Sequence, residues 1–248
     1  DTLLRPRDIP SEYRLRMRNN LTWTRDGNRL FYGLQSNEMV QLDEIEQKKD
    51  SLTTENLYDL DLILKGVGSD VWHWNDPLIK THEKQNWNRH KNHLFTGVFH
   101  LSQRRAVQLA TPEVPDVSPS HSPNISIGRS DLPYQQLRSW DGTYHDYYLV
   151  DHHTGEARKI REKAQFGGQL SPQGTHYVYF DQDNWHALNI GSGNVTNLTE
   201  STEVPFADED NDRPMASRGY GIAGWVGNDD AVLIYDKFDI WQFNLSTG

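Results

Sequence analysis

The chain has 248 residues, a formal net charge of −10 and a pI of about 5.5, a length that fits one large domain or two small ones. The acidic charge argues against nucleic acid or an anionic membrane as a partner. No apolar run approaches the roughly 20 residues that a membrane helix requires. The sequence contains no cysteine, which excludes disulfides, thiolate chemistry and cysteine-based zinc sites.

The first part of the chain contains one clear unit and, over 51–94, the least regular part of the sequence. The alternation of Arg and apolar residues over 14–18 predicts an edge strand, and 21–42 is the first clear strand–turn–strand unit. The charged run 44–50 predicts a protruding turn or a short helix. A strand is predicted over 56–65.

The next segments combine aromatic residues with turn signals. Aromatic residues alternate over 70–77, which predicts a strand that ends at a proline and places His73 on the face opposite to its neighbours. The polar run 79–92 predicts an excursion or a short helix before a strand at 95–101. An Asp-Gly turn predicts a hairpin over 137–150.

The most regular stretch is 169–193, which predicts strand, tight turn, strand, loop, strand and a second turn. Ser171-Pro-Gln-Gly174 has the residues that a reverse turn favours. The same order of large apolar residue, turn and apolar triplet follows Trp23 and Trp225. Because Trp23, Leu170 and Trp225 share one repeat position, we expect them to pack between repeats.

This order recurs at intervals of about 40–55 residues, which is typical of β-propeller blades. An ordinary β-sandwich with similar hairpins is the alternative. We therefore predict an all-β propeller with about five four-stranded blades, the last one truncated. The equivalent turn positions are Thr24, Asn75, Ser118, Ser171 and Val226, and the blade units are 15–50, 56–110, 111–162, 165–200 and 218–248.

The acidic run in 201–218 has part of a calcium-loop pattern. Asp208, Asp210 and Asp212 have the first three ligand spacings, but Arg213 stands where the loop needs glycine. Gly219 stands where the loop needs a bidentate glutamate. The pattern therefore favours a solvated acidic linker.

The sequence predicts no catalytic residue, no cofactor-binding residue and no metal ligand. His90 and His93 are three apart, and His152 and His153 are adjacent, but no carboxylate-supported helical histidine pair occurs. We expect most of the histidines to lie in loops or at the surface. The chain has no Gly-x-Ser-x-Gly nucleophile motif, and no cofactor is expected.

Several of these motifs resemble known propellers. Ser171-Pro-Gln-Gly174, the aromatic strand that follows it and Asn184-Trp-His-Ala-Leu188 resemble the repeat of TolB-type and dipeptidyl peptidase IV-type propellers. The segment 224–241 is similar to late propeller blades of the prolyl oligopeptidase (S9) family of serine peptidases, and 70–77 resembles a segment of the same group. The resemblance covers most of 20–248.

The resemblance implies the non-catalytic N-terminal propeller of an S9 peptidase. In that family a propeller of seven or eight blades caps a C-terminal α/β-hydrolase domain and restricts access to its Ser-Asp-His triad, so this chain would be an incomplete propeller. The hydrolase domain is absent here, and so is a Glu-Glu motif for the substrate amino terminus. The expected partners are that hydrolase domain and peptide substrates. The resemblance also favours a periplasmic or secreted location over a cytoplasmic one.

Two alternatives remain open at this point. The first is a free-standing TolB- or WD40-like propeller that binds proteins. The second is a propeller that binds or hydrolyses carbohydrate, which would require paired inward carboxylates. About five units fall short of the seven or eight blades of the S9 family, so we predict an open arc or an imperfectly closed ring with exposed strand edges, and we expect self-association through these edges.

Overall fold

The computed structural model describes residues 2–17, 19–41, 54–55, 57–61, 69 and 71–245. The strands in these ranges form four antiparallel sheets that follow one another along the chain. We call these sheets blades 1 to 4.

Blade 1 is centred on one long strand. Its strands are β1 (Tyr13–Leu15), β2 (Thr22–Trp23), β3 (Arg29–Ser36), β4 (Phe95–His100) and β5 (Arg105–Gln108). Both β1 and β2 pair with β3, and the sheet continues through β4 to β5. The connection from β3 to β4 contains the helix α1 (Lys80–Lys91), which has no buried residue.

Blades 2 to 4 are simple meanders in which each strand pairs with the next. Blade 2 has β6 (Asp116–Ser118), β7 (Ile125–Ser130), β8 (His145–Asp151) and β9 (Ala157–Ala164), with a 3-10 helix (Leu132–Ser139) between β7 and β8. Blade 3 has β10 (Gly168–Leu170), β11 (His176–Asp181), β12 (Asn184–Asn189) and β13 (Val195–Asn197). Blade 4 has β14 (Ile222–Val226), β15 (Ala231–Tyr235) and β16 (Ile240–Asn244).

Strand β11 shows why these sheets stack. Its side chains alternate between two faces, and both faces are buried. Tyr177 and Tyr179 pack with Ile127 of blade 2. Val178 and Phe180 belong instead to a core shared with blade 4. A strand buried on both sides reads as one continuous apolar run, as this segment does.

The other blade contacts follow the same plan. Phe31 and Val98 of blade 1 pack against Val117 and Val150 of blade 2. The core between blades 3 and 4 contains Trp185, which is buried as a packing residue. Successive antiparallel sheets that pack face to face in chain order are the architecture of a β-propeller, so the prediction of an all-β propeller is confirmed.

The predicted division between 15–50 and 56–110 is wrong. Strand β3 pairs directly with β4, from Arg29 opposite His100 to Leu34 opposite Phe95, so the two ranges share one blade. Because the segment between these strands is about as long as one repeat, the two strands appear in the sequence to belong to separate blades. Asn75 lies in this connection and is not a turn of a blade.

Some local predictions also need correction. Residues 71–79 form turns and bends where the sequence predicts a strand over 70–77. The predicted hairpin over 137–150 begins in the 3-10 helix Leu132–Ser139, so β8 is the only strand in this range. The segment 79–92 contains a helix, which is one of the two structures that the sequence predicts for it. Trp23 is about half exposed and does not pack between blades, whereas Trp225 contacts the core of blades 3 and 4.

Two predictions fall partly or wholly outside the described residues. The range 44–50 is not described, and of 56–65 the structure describes 57–61, which contain a turn and no strand.

Within the described ranges, no helix has the length and apolar character needed to cross a bilayer.

Candidate functional site

The order of the strands separates two faces of the molecule. Because neighbouring strands are antiparallel, the connections between first and second strands and between third and fourth strands lie at one end, which we call the turn face. The connections between second and third strands, and those between blades, lie at the other end, which we call the loop face. The turn face carries short turns, whereas the loop face carries the long connections 131–144 and 198–221 and the described parts of the connection 37–94.

Large aromatic side chains are exposed on the loop face. Trp72 and Trp74 lie in the connection of blade 1, and Trp74 is 85% exposed. Trp140 follows the 3-10 helix of blade 2 and is 72% exposed. Phe238, between β15 and β16, is 85% exposed. Exposed aromatic residues gathered on one end of a domain indicate an interaction surface.

Two of these connections contact each other. The side-chain amide of Gln136 donates hydrogen bonds to the backbone carbonyl oxygen of Asn75, at 2.9 Å, and to its side-chain oxygen, at 3.2 Å. This contact joins the segment of Trp72 and Trp74 to the 3-10 helix that precedes Trp140. The three tryptophans therefore belong to one continuous part of the loop face.

A buried carboxylate anchors the 3-10 helix to blade 2. Asp146, at the start of β8, is 1% exposed and accepts a 2.6 Å hydrogen bond from the Tyr134 hydroxyl. It also forms an ion pair with Lys159 and accepts a hydrogen bond from the Lys163 amide. Burial alone would raise the pKa of Asp146, but these partners outweigh burial and lower it. The anchor gives the Trp140 connection a fixed position.

The acidic connection between blades 3 and 4 forms a polar depression of about 390 Å³ on the same face. Asp208, Asp212, Arg213 and Arg218 line it. Asp210, which also lines it, pairs with Lys237 of blade 4 at 2.8 Å. Among the described residues, no group of three acidic or histidine side chains is arranged to hold a metal ion.

The turn face contains a buried polar network that the sequence does not reveal. The Arg29 guanidinium of blade 1 donates to the backbone carbonyls of Ser122 and Pro123 and, at 3.1 Å, to Nδ1 of His152. His152 is fully buried in the turn of blade 2, against the expectation of a surface histidine, and its Nε2 lies 2.8 Å from the Ser126 hydroxyl. Burial and the Arg29 charge lower the pKa of His152 to about 4.

The Ser126–His152 pair has the spacing of a nucleophile and its base, but the groups around it show that the pair has a structural role. Both side chains are fully buried. The third group beside the imidazole is the cation of Arg29, where a catalytic triad has a carboxylate. Because a guanidinium only donates hydrogen bonds, Nδ1 accepts and Nε2–H donates to Ser126. The network fastens blade 1 to blade 2.

The other histidines singled out in the sequence lie apart. His93 Nε2 bonds to the Pro115 carbonyl oxygen at 3.0 Å, and His90 lies on the exposed helix α1. His73 is exposed on the loop face beside Trp74. His153 stacks on His100.

A second fastener links blades 3 and 4. Asp229, which is 5% exposed in the turn between β14 and β15, accepts hydrogen bonds from the hydroxyls of Ser171 and Thr175 at 2.6 and 2.8 Å. It also accepts from the backbone amide of Gln173 at 3.1 Å. Burial alone would raise the pKa of Asp229, but these hydrogen bonds outweigh burial and lower it.

No family model and no curated protein matches the sequence. Among solved structures, the chain is similar to a protein assigned as TolB from Agrobacterium tumefaciens, with 13% identity and a TM-score of 0.41 over 92% of this chain and 58% of that one. It is also similar to TolB from Acinetobacter baumannii, with 14% identity and a TM-score of 0.30 over 93% of this chain and 66% of that one. The chain thus spans less than two thirds of either structure.

The molecular class follows from the strand pairing and blade packing themselves. The chain is a β-propeller assembly of at least four consecutive blades in its described residues. Its turn face is closed by buried polar fasteners, and its loop face is open and aromatic.

Proposed function

We propose that this chain is a non-catalytic binding propeller that holds extended peptide or protein segments on its loop face. The observation that carries the proposal is the exposure of Trp72, Trp74 and Trp140 on connections that contact each other. Tryptophan is enriched among the residues that dominate binding at protein interfaces, because it offers a large apolar area with one hydrogen-bond donor. The Tyr134–Asp146 anchor holds the connection of Trp140 in place, and a connection that is already held loses less entropy on binding.

The charge of the chain indicates which segments would bind. The net charge is −10, and the acidic connection with Asp208 and Asp212 lies on the same face. Because like charges in close contact oppose association, we expect neutral or basic segments with apolar side chains to be preferred over acidic ones.

The finer form of the proposal concerns an S9 peptidase. In this form the partner is a C-terminal α/β-hydrolase domain, and the propeller restricts which peptides reach it. The support is the sequence resemblance at 70–77, 169–193 and 224–241. The same resemblance favours a periplasmic or secreted protein. A free-standing interaction propeller is the other form, and it uses the same loop face without a hydrolase partner.

A binding experiment tests the general proposal. Fluorescence anisotropy with short unstructured peptides, either basic and apolar or acidic, should show binding of the first group. Replacing Trp72, Trp74 and Trp140 together by alanine should weaken this binding at least tenfold. The matched control is Trp23→Ala, which removes a half-exposed tryptophan outside the loop face. Equal loss in the control, or no loss in the triple variant, would contradict the proposal.

A second experiment separates the two forms. The parent reading frame should encode a Gly-x-Ser-x-Gly nucleophile motif beyond Gly248 if the peptidase form is correct. In the full-length parent, the triple tryptophan variant should then change KM for long peptides more than for dipeptide substrates. A parent without the nucleophile motif leaves the interaction propeller as the function.

A further inference from the structure

Blade 1 presents an apolar sheet face that lies outside the stack of blades. Leu30, Tyr32 and Phe99 point away from blade 2, because their neighbours Phe31 and Val98 fill the core between those blades. The N-terminal segment covers part of this face and leaves a pocket of about 290 Å³. Exposed apolar side chains surround the pocket, among them Leu3, Leu15, Met17 and Leu21.

Blade 4 presents the corresponding face at the other end of the stack. Val232 and Ile234 point into the core shared with blade 3. Strand alternation therefore points Tyr235 outward, and Ile240, its partner across the sheet, points the same way. Their side chains are 41% and 57% exposed.

The internal interfaces show how these two faces match. Every contact between consecutive blades joins one face of a sheet to the opposite face of the next sheet. Blade 1 exposes the face that would contact a preceding blade, and blade 4 exposes the face that would contact a following blade. A contact between them on two molecules would repeat the geometry that the protein already uses three times.

The charges around the two faces are complementary. Residues 2–17 carry four arginines, Arg5, Arg7, Arg14 and Arg16, against Asp8 and Glu12. Residues 222–245 of blade 4 carry three aspartates besides the buried Asp229, namely Asp230, Asp236 and Asp239, against Lys237. Opposite net charges favour a contact between unlike ends and oppose contacts between like ends.

We propose that this chain associates with a second copy of itself, with the outward face of blade 4 seated on the apolar pocket of blade 1. This contact uses different surfaces on the two molecules, so it closes a ring only if the rotation per blade allows it. Two copies of the four described blades would give a ring of eight, which lies within the usual range of propeller sizes. The ring leaves both loop faces open, so the contact does not use the surface of the proposed function.

Light scattering coupled to size exclusion tests the contact. The unmodified chain should be a dimer, and Leu21→Glu in the blade 1 face or Ile240→Glu in the blade 4 face should each give a monomer. Val195→Glu is the matched control, because Val195 is 52% exposed on the outer strand of blade 3. The control should remain dimeric.

Mixing the two variants distinguishes the proposed contact from other dimers. The mixture keeps one intact pair of faces, Tyr235 and Ile240 of one molecule against Leu21 of the other, so it should form a dimer that is weaker than the unmodified ring. If Ile240→Glu alone stays dimeric, the contact joins like faces and the proposal is wrong.

A monomer at about 100 µM, well above a micromolar dissociation constant, would also overturn the proposal. Far-UV circular dichroism should show that both variants are folded. Met17→Glu and Gln242→Glu are second variants at exposed positions near the same two faces, and they should give the same result.

Discussion

The carboxylate of Asp229 in blade 4 accepts a 2.6 Å hydrogen bond from the hydroxyl of Ser171 in blade 3. The two residues belong to equivalent turns of consecutive blades, so the turn of one blade is capped by a side chain from the next. Thr175 and the Gln173 amide donate to the same carboxylate. Hydrogen bonds to a charged acceptor are stronger than those between neutral groups, and this one fixes the angle between two blades.

Removal of this acceptor should destabilise the protein. Asp229→Ala leaves the buried Ser171 hydroxyl without its acceptor and removes the charged acceptor of Thr175 and the Gln173 amide, which costs about 2–4 kcal/mol in the free energy of unfolding. Asp229 also has a φ of +68°, a conformation that alanine tolerates less well than aspartate. Urea denaturation measures the change. The control is Asp230→Asn at the exposed neighbouring position, which should change stability by less than about 0.5 kcal/mol.

Gly174 provides a second test of contacts between turns. Its φ is +77°, and an added Cβ would lie 2.2 Å from the Ser122 hydroxyl of blade 2. Gly193 has a φ of +76° with no atom within 4 Å of that position, so it is a matched control for backbone strain. Gly193→Ala should cost about 1–2 kcal/mol.

Gly174→Ala should cost more than the control, because the Ser122 side chain must also move. Replacing Ser122 by glycine should remove that additional cost in the double variant, as measured by a double-mutant cycle in urea. If Gly174→Ala and Gly193→Ala have equal effects, the contact between these turns is not tight in solution.

The sequence predicted the local structure of these turns but not their partners. Pro172, Gly174 and the aromatic strand after them are sufficient to predict the turn and strands of blade 3. The contact with Asp229 joins residues that are 58 positions apart, and no local pattern reports it. Arg29 gives still less signal, because an arginine after a turn usually lies in solvent.

The same limit explains the error in blade 1. Alternation shows which side chains of a strand share a face, but it does not identify the strand that pairs with it. The apolar residues of β3 and β4 therefore predict two strands correctly. They do not predict that these strands pair with each other across the connection 37–94. The exposed tryptophans of this connection also resemble strand residues in the sequence, because their alternation does not distinguish a buried face from a binding surface.

The buried His152 should make stability depend on pH. Burial and Arg29 lower its pKa from 6.5 to about 4, so the unfolded chain binds more protons between these values and stability falls as the pH decreases through this window. A shift of this size corresponds to about 3 kcal/mol, fully present above pH 6.5 and lost below pH 4.

Urea midpoints measured from pH 7.5 to pH 4.5 test this dependence. His152→Gln should be less stable at pH 7.5, because the network with Arg29 and Ser126 is altered, and its pH profile should be flatter. His121→Gln changes an exposed histidine and serves as the control. A flat profile in the unmodified protein, or equal flattening in the control, would contradict the role of His152.

The anchor at Asp146 should determine whether the Trp140 connection stays in place. Asp146→Asn keeps the shape of the side chain but removes the charge that pairs with Lys159 and accepts from Tyr134. Hydrogen exchange should then accelerate in the 3-10 helix Leu132–Ser139, with little change in blades 3 and 4. Asp141→Asn, an exposed change in the same connection, should leave exchange as it is.

The same variant connects the anchor to binding. If the tryptophans act as a preorganised surface, Asp146→Asn should weaken binding of basic, apolar peptides, because ordering the released connection then opposes association. The loss should be smaller than that of the triple tryptophan variant, since the aromatic side chains are still present. Faster exchange without weaker binding would show that Trp140 is dispensable and that Trp72 and Trp74 bind alone.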